Sequence, residues 1–218
     1  MLRFGPSSGP VVVVALPLFE EANRTRTFAV TVLRALADRG IAGALPDLPG
    51  QGESLVPTHN ATLATLSEAF AAGVASLRRS AYSLAIRSGT LLDGSALVVA
   101  RYHLAPMTGA DLRRELVRAR QASSRESGEA FDPASLDTAT APVELAGNLV
   151  APAMLAELAT AVPATTAVRT VRLETEARPA DAKLPGSPLW RRAEPDNDPE
   201  FAERLAEDIA QWVATCEA

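Results

Sequence analysis

The sequence predicts an α/β fold: a mostly parallel, doubly wound sheet flanked by helices. Three observations predict it. Short unbroken apolar runs rich in β-branched residues read as strands buried on both faces, and "VVVVAL" at 11–16 is the clearest. Between such runs, apolar residues recur at helical spacing and form one-sided stripes. Strands separated by helices pair in parallel, because each helix carries the chain back to the starting edge. A length of 218 residues suits one domain over 1–218, with a boundary near residue 125 as the alternative to a single sheet.

The first strand is 11–16. A helix follows over 26–39, with Phe28, Val32, Leu33 and Leu36 on one side and Gly40 as its stop. The second strand, 41–45, ends in the turn "PDLPGQGES". Leu63, Leu66, Phe70, Val74 and Leu77 mark the next helical stripe, with Asn60 or Thr62 as its cap. The third strand is 82–86, and a short helix from about Gly89 precedes a fourth strand over 96–102. A helix over 111–121 turns Leu112 and Leu116 inward and Arg113, Arg114, Arg118 and Arg120 mostly outward. The stretch "ASSRESGEAFDP" reads as a polar loop, "VELAGNLV" as a short strand or a turn, and 152–161 as a helix. Residues 168–174 alternate like a half-exposed strand at a sheet edge, and "EARPADAKLPGSP" is a proline- and charge-rich excursion. The last helix takes Asp198 as cap and Pro199 in its first turn, and it buries Phe201, Leu205, Ile209, Trp212 and Val213.

Composition excludes several classes. With 47% hydrophobic and 22% charged residues the chain is globular rather than disordered. A net charge of −5 argues against a nucleic-acid partner. Cys216 is the one cysteine, so no intrachain disulfide forms, which fits a cytoplasmic location. The apolar run at 11–19 is too short to span a bilayer, glycines and prolines interrupt its approach, and no A-x-A cleavage site follows. His59, His103 and Cys216 do not make a zinc site, and there is neither a Walker loop nor a G-x-G-x-x-G, so no metal or cofactor is expected. No oligomeric state follows from the sequence.

Open parallel sheets bind ligands beyond the carboxyl ends of their strands. Four loops therefore matter: "LPLFEEANRTR", "LPDLPGQGES", "AIRSGTLL" and "YHLAPMTG". The third has the form of a nucleophile elbow, G-x-S-x-G, whose sharp turn admits only small residues two positions either side of the tip. Centred on Arg87, the pattern reads Ala85-x-Arg87-x-Gly89 and satisfies that rule. Centred on Ser88, it places Ile86 and Thr90 where small residues are needed. A serine nucleophile also requires a base. The late stretch "LPGSPLWRRAEP" contains no histidine, and His59 lies in a polar loop. His103 follows the fourth strand and is the partner for Ser88 if one exists. In the first loop Glu20, Glu21, Asn23 and Arg26 either cap and ion-pair locally or form a polar cluster that holds a ligand or pairs with Arg87. Asp47 either braces its proline-glycine turn or joins that cluster.

The blocks, taken in order, resemble the α/β-hydrolase fold and, more narrowly, the exosortase A system-associated hydrolases of the second type. These are bacterial proteins linked with exopolysaccharide and exosortase gene clusters. Pro17, Glu20, Glu21, Asn23 and Arg26 match that group's Pro-Phe-x-Glu-Glu-x-Asn-like loop. "LAIRSGTLL" is similar to its Gly-Leu-Arg-Leu-Gly corner, where arginine also stands at the nucleophile's place. "APMTGADLRRELVRAR", "VELAGNLVAPAMLAEL" and "GSPLWRRAEP" look like its later segments, with Trp190 where a catalytic histidine would be sought. The chain departs from the group in Ala85, which replaces the corner's first glycine, and in Asn148, which replaces an aromatic. It also lacks the usual N-terminal antiparallel strands and part of the region before the last strand.

The resemblance implies a truncated α/β-hydrolase-like domain, a hydrolase by fold whose status as an enzyme stays open. One reading is a fold without a Ser-His-Asp triad. It would bind an anionic or polar small molecule, an acidic polymer or a partner through Arg87, Glu20, Glu21, Asn23, Arg26, Asp47 and Trp190. The alternative is an active acyl hydrolase or transferase that uses Ser88 and His103. The third is an interaction protein with a vestigial pocket.

Overall fold

The valine run forms the middle of a sheet, as its burial on both faces requires. A computed structural model describes residues 1–52 and 54–218. In chain order its strands are β1 (Leu2–Phe4), β2 (Val11–Ala15), β3 (Ala42–Leu45), β4 (Ala81–Ile86), β5 (Arg101–Leu104), β6 (Val143–Leu145), β7 (Asn148–Val150), β8 (Val168–Leu173) and β9 (Ala182–Leu184). Its α-helices are α1 (Glu20–Asp38), α2 (Leu63–Ser76), α3 (Gly109–Ser127), α4 (Pro152–Thr160) and α5 (Pro199–Glu217). Seven strands make one sheet in the order β1-β3-β2-β4-β5-β8-β9, parallel except for β1, which runs antiparallel to β3. The strands β6 and β7 form a separate antiparallel hairpin.

Strand alternation sorts the core into two layers. On one face Val12, Val14, Tyr82, Leu84, Ile86, Tyr102 and Leu104 pack against α1 and α5, where the Phe28 and Phe201 rings stack 5.0 Å apart. On the other, Val11, Val13, Ala15, Ala81 and Ala85 pack against Leu66 and Phe70 of α2, Leu112 and Leu116 of α3, and Met154 and Leu158 of α4. Thr62 caps α2 by accepting from the backbone N–H of Thr65, and Asp198 caps α5 by accepting from that of Phe201.

Several elements differ from the sequence expectation. The antiparallel β1 is present at the N-terminal edge. Helix α1 starts at Glu20 rather than 26, because two carboxylates in its first turn suit the positive end of the helix dipole. Helix α3 continues through the polar stretch to Ser127 and ends on Gly128, whose φ of 74° is the left-handed stop. The fourth sheet strand begins at Arg101 rather than 96; Leu97 and Val99 before it are exposed. Strand β8 is not the edge, since β9, hidden in the proline- and charge-rich excursion, pairs outside it. No described helix is long and apolar enough to cross a membrane.

Candidate functional site

Strand order reverses between β2 and β4: from β2 the chain goes outward to β3, then returns to lie on β2's other side. Ala15 pairs with Ala85, so the two strands end level. Loops that leave a reversal point diverge and open a crevice at the carboxyl edge. The two that diverge here are the first loop and the corner, and they are joined by a 2.9 Å hydrogen bond from the Leu18 N–H to the Ser88 hydroxyl.

The corner is a single turn of 3₁₀ helix, Arg87–Leu91. Its left-handed residue is Arg87, with φ of 54°. Gly89 is needed because a Cβ there would stand 2.3 Å from the Ala15 carbonyl oxygen and 2.7 Å from that of Leu16. Across the crevice Phe19, at φ 60° and ψ −143°, holds a conformation that side chains strongly disfavour. Ser88 is fully buried beneath the tip.

Arg87 is neither free nor solvated. Its Nε and Nη2 donate to the two oxygens of Glu21 at 3.2 and 3.1 Å, a bidentate pair, and Nη2 also donates to Glu115 at 2.8 Å. The guanidinium carbon lies 5.4 Å from the centre of the Trp190 ring, a cation–π contact. Trp190 is held in turn by Arg24, which donates to its carbonyl at 3.2 Å. Burial pushes the Glu21 carboxyl above its ordinary range, and the hydrogen bonds and charge of Arg87 only partly offset this. Burial disfavours the Arg87 cation too, but Glu21 and Glu115 outweigh it and hold the guanidinium firmly protonated.

The other residues singled out by sequence fall into separate groups. Glu20 and Asn23 line a second depression of about 250 Å³ on the far side of the first loop, with Gly50, Gln51 and Asn148. Arg26 pairs with Asp47 at 3.0 Å. Burial alone would raise Asp47, but hydrogen bonds from Arg26 and the Met1 amine prevail and hold it below the usual carboxylate range. His103 is buried in the middle of the sheet, its Nε2 3.1 Å from Asp93, which also accepts from Ser83. Among the described residues no hydrogen bond links Ser88 to His103, and no group of His, Cys, Asp and Glu is placed to hold a metal. His59 is half-buried in a short 3₁₀ turn.

Beside the corner lies a cavity of about 440 Å³, roofed by α3 and the segments after β8 and β9. Arg87 and Trp190 line it with Arg114, Glu115, Arg118, Arg172, Glu176, Arg178 and Arg191. Sequence reasoning missed Glu115, Arg172 and Glu176. Arg172 sits between the buried Val171 and Leu173, and only the reading of β8 as an exposed edge concealed that it faces protein.

No protein-family model and no curated sequence matches the chain. Solved structures do. Est1E from Butyrivibrio proteoclasticus, with bound ferulic acid, superposes with a TM-score of 0.61 at 14% identity over 98% of this chain and 93% of its own. An extracellular α/β-hydrolase from a Paenibacillus species gives 0.51 at 12% identity over 93% and 98%. This chain has the α/β-hydrolase fold. A third similar structure, the bottromycin epimerase BotH with bottromycin A2, gives 0.50 at 17% identity over 100% and 94%. In enzymes of the α/β-hydrolase fold a sharp strand-to-helix turn carries the nucleophile, and N–H groups after its tip and in a facing loop form the oxyanion hole. Here Arg87 holds the tip and the Ser88 hydroxyl occupies the Leu18 N–H.

Proposed function

We propose that this α/β-hydrolase-fold protein operates without a Ser-His-Asp triad and binds an anionic or polar ligand at the carboxyl edge of its sheet, against Arg87. The observation that carries the reading is the left-handed tip of the elbow, where a guanidinium replaces the nucleophile. A guanidinium held protonated has no lone pair to attack an acyl carbon, and with Nε and Nη2 taken by Glu21 and Glu115 its Nη1 is left to donate to an anionic or polar ligand. Acyl transfer through Ser88 would require a base bonded to its hydroxyl, and among the described residues the recorded bond of that hydroxyl is the one it accepts from the Leu18 N–H, while His103 is buried against Asp93. Glu21, Glu115 and Trp190 fix the cation, so that it meets a ligand in one orientation. The ordered resemblance to exosortase A system-associated hydrolases supports a link with bacterial exopolysaccharide systems.

The test is a fluorophosphonate probe together with turnover of short acyl esters. The expected result is neither labelling nor turnover above that of Ser88→Ala. Labelling at Ser88, with activity lost in both Ser88→Ala and His103→Ala, would establish the acyl hydrolase or transferase instead.

A further inference from the structure

The wall of the cavity beside the elbow carries an excess of positive charge, on a chain whose net charge is −5. Six arginines line it: Arg87, Arg114, Arg118, Arg172, Arg178 and Arg191. Three carboxylates line it with them, Asp111, Glu115 and Glu176, and Glu21, paired with Arg87, makes a fourth. Six cations against four carboxylates leave an excess of two. The ion pairs show where the excess falls. Glu21 and Glu115 hold Arg87, and Glu176 holds Arg172. Asp111 is shared by two guanidinium groups, Arg114 at 2.9 Å and Arg178 at 3.3 Å. Arg118 and Arg191 have no ion-pair partner among the described residues.

Two features set this wall apart from an ordinary solvated face. Its arginines come from parts of the chain that meet only in the fold: the tip of the elbow, α3, β8 with the segment after it, and the segment after β9. The charge is therefore gathered around a concavity, where low-dielectric walls focus the field and draw in counter-ions. On α3, Arg114 and Arg118 also stand four residues apart, a spacing at which like charges repel. An anion in the cavity relieves that repulsion. Arg114, Arg118, Arg178 and Arg191 are exposed, so their long side chains can turn onto a ligand without breaking buried bonds. A guanidinium grips carboxylate or phosphate through its planar fork. The volume, about 440 Å³, lies within the range of small-molecule sites.

We propose that this cavity binds a small dianion, a phosphate monoester or a dicarboxylate, whose two charges offset the excess left by Arg118 and Arg191. This rests on the proposed ligand-binding reading and names its ligand class. Arg87 lies in the same wall, and Arg118 and Arg191 supply the discrimination between two charges and one.

Calorimetric titration of the whole protein at about pH 8, in a low-salt amine buffer, separates the outcomes. The probes form two pairs that differ by one charge: methyl phosphate against dimethyl phosphate, and succinate against monomethyl succinate. At that pH a phosphate monoester has passed its second ionisation, near about 6. In at least one pair the dianion should bind about five- to tenfold more tightly than its monoanion, and the pair that does so tells phosphate from dicarboxylate. Arg118→Gln and Arg191→Gln should each weaken the preferred dianion about threefold or more, and the double variant should bring the preference within about twofold. Arg34→Gln, exposed on α1 and outside the cavity, removes the same charge from the chain and should leave both affinities unchanged. Equal affinity within each pair, a preference that survives the double variant, or an equal effect of Arg34→Gln would each overturn the dianion assignment while leaving a monoanion site at Arg87 intact. If no probe binds, the assignment falls, and the fluorophosphonate result alone decides the triad-free reading. Serine labelling would overturn that reading whatever the titrations give.

Discussion

Replacing Arg87 by methionine isolates the charge at the elbow from its backbone. Methionine keeps an unbranched stem and the same Cβ, so the φ of 54° burdens both side chains alike. What disappears are the bonds of 3.2 and 3.1 Å to Glu21 and of 2.8 Å to Glu115. Glu115 is 47% exposed, and an ion pair with such a partner contributes about 0–1 kcal/mol. Glu21 is 15% exposed and would lose its principal cation, a loss of about 3–5 kcal/mol. The expected destabilisation is thus about 4 kcal/mol where Glu21 is ionised. It should depend on pH. Burial already raises Glu21 above its ordinary 4.5, and Arg87 opposes that rise, so the variant's carboxyl titrates higher still. A carboxyl raised in the folded state contributes stability that is present below its unfolded value and lost as pH climbs through the folded one. The deficit of the variant should therefore be small near about pH 4 and grow toward about pH 8. Urea unfolding of both proteins across that range measures it. Arg87→Met/Glu21→Gln, which removes the stranded carboxylate, should regain most of the loss at the alkaline end. A deficit that does not change with pH, or a double variant no more stable than the single one, would refute the reasoning.

Three further outcomes follow from the corner and from the α5 cap. Gly89→Ala would put a Cβ 2.3 Å from the Ala15 carbonyl and force the β2 and β4 ends apart; thermal unfolding should show a loss of about 3 kcal/mol or more, or no soluble protein. Ser88→Ala leaves the buried Leu18 N–H without an acceptor and should destabilise by about 1–3 kcal/mol in denaturant titration. Asp198→Ala removes the α5 cap, worth about 1–2 kcal/mol. Burial alone would raise Asp198, but bonds from the Phe201 and Ser187 N–H groups prevail and lower it below 3.8, so the difference from wild type should persist at neutral pH and vanish as acid protonates Asp198 below that value.

Strands β2 to β4, the helical stripes and the cap at Asp198 were legible because each is written in neighbouring residues; Thr62 was one of two candidate caps, with Asn60. The elbow was legible for a steric reason: only Ala85 and Gly89 flank a tip symmetrically with small side chains, and that symmetry selects Arg87. What encloses the tip was not legible. Glu115 comes from an arginine-rich helix whose polar face reads as solvated, and only the docking of α3 turns one carboxylate toward Arg87. Arg172 was hidden because β9 is three residues long inside a proline-rich segment, too short to carry a periodic signal. Without β9, β8 is an edge and Arg172 faces water; with it, Arg172 is buried. Asp93, which binds both Ser83 and His103, lies in a turn whose local sequence gives no sign of burial.

The strain at the elbow does not by itself argue for acyl chemistry. Phe19 and Arg87 each hold a positive φ at a cost of about 1–3 kcal/mol, and such outliers cluster at functional sites. Here local packing and one hydrogen bond account for their persistence. Gly89 rests against the Ala15 carbonyl with no room for a methyl group, and the Leu18 N–H to Ser88 bond ties the two loops together. Those contacts over-determine the bend whatever side chain it presents. A serine at this tip would carry its hydroxyl one bond beyond Cβ, close to the strand ends. Arginine carries its charge several bonds further, onto the face of the Trp190 ring, which lines the cavity. The same bend therefore carries the charge outward, from the strand ends toward the cavity wall formed by α3 and the segments after β8 and β9. The scaffold is thus shared with Est1E, while the side chain at its bend lies against the Trp190 ring rather than at the strand ends.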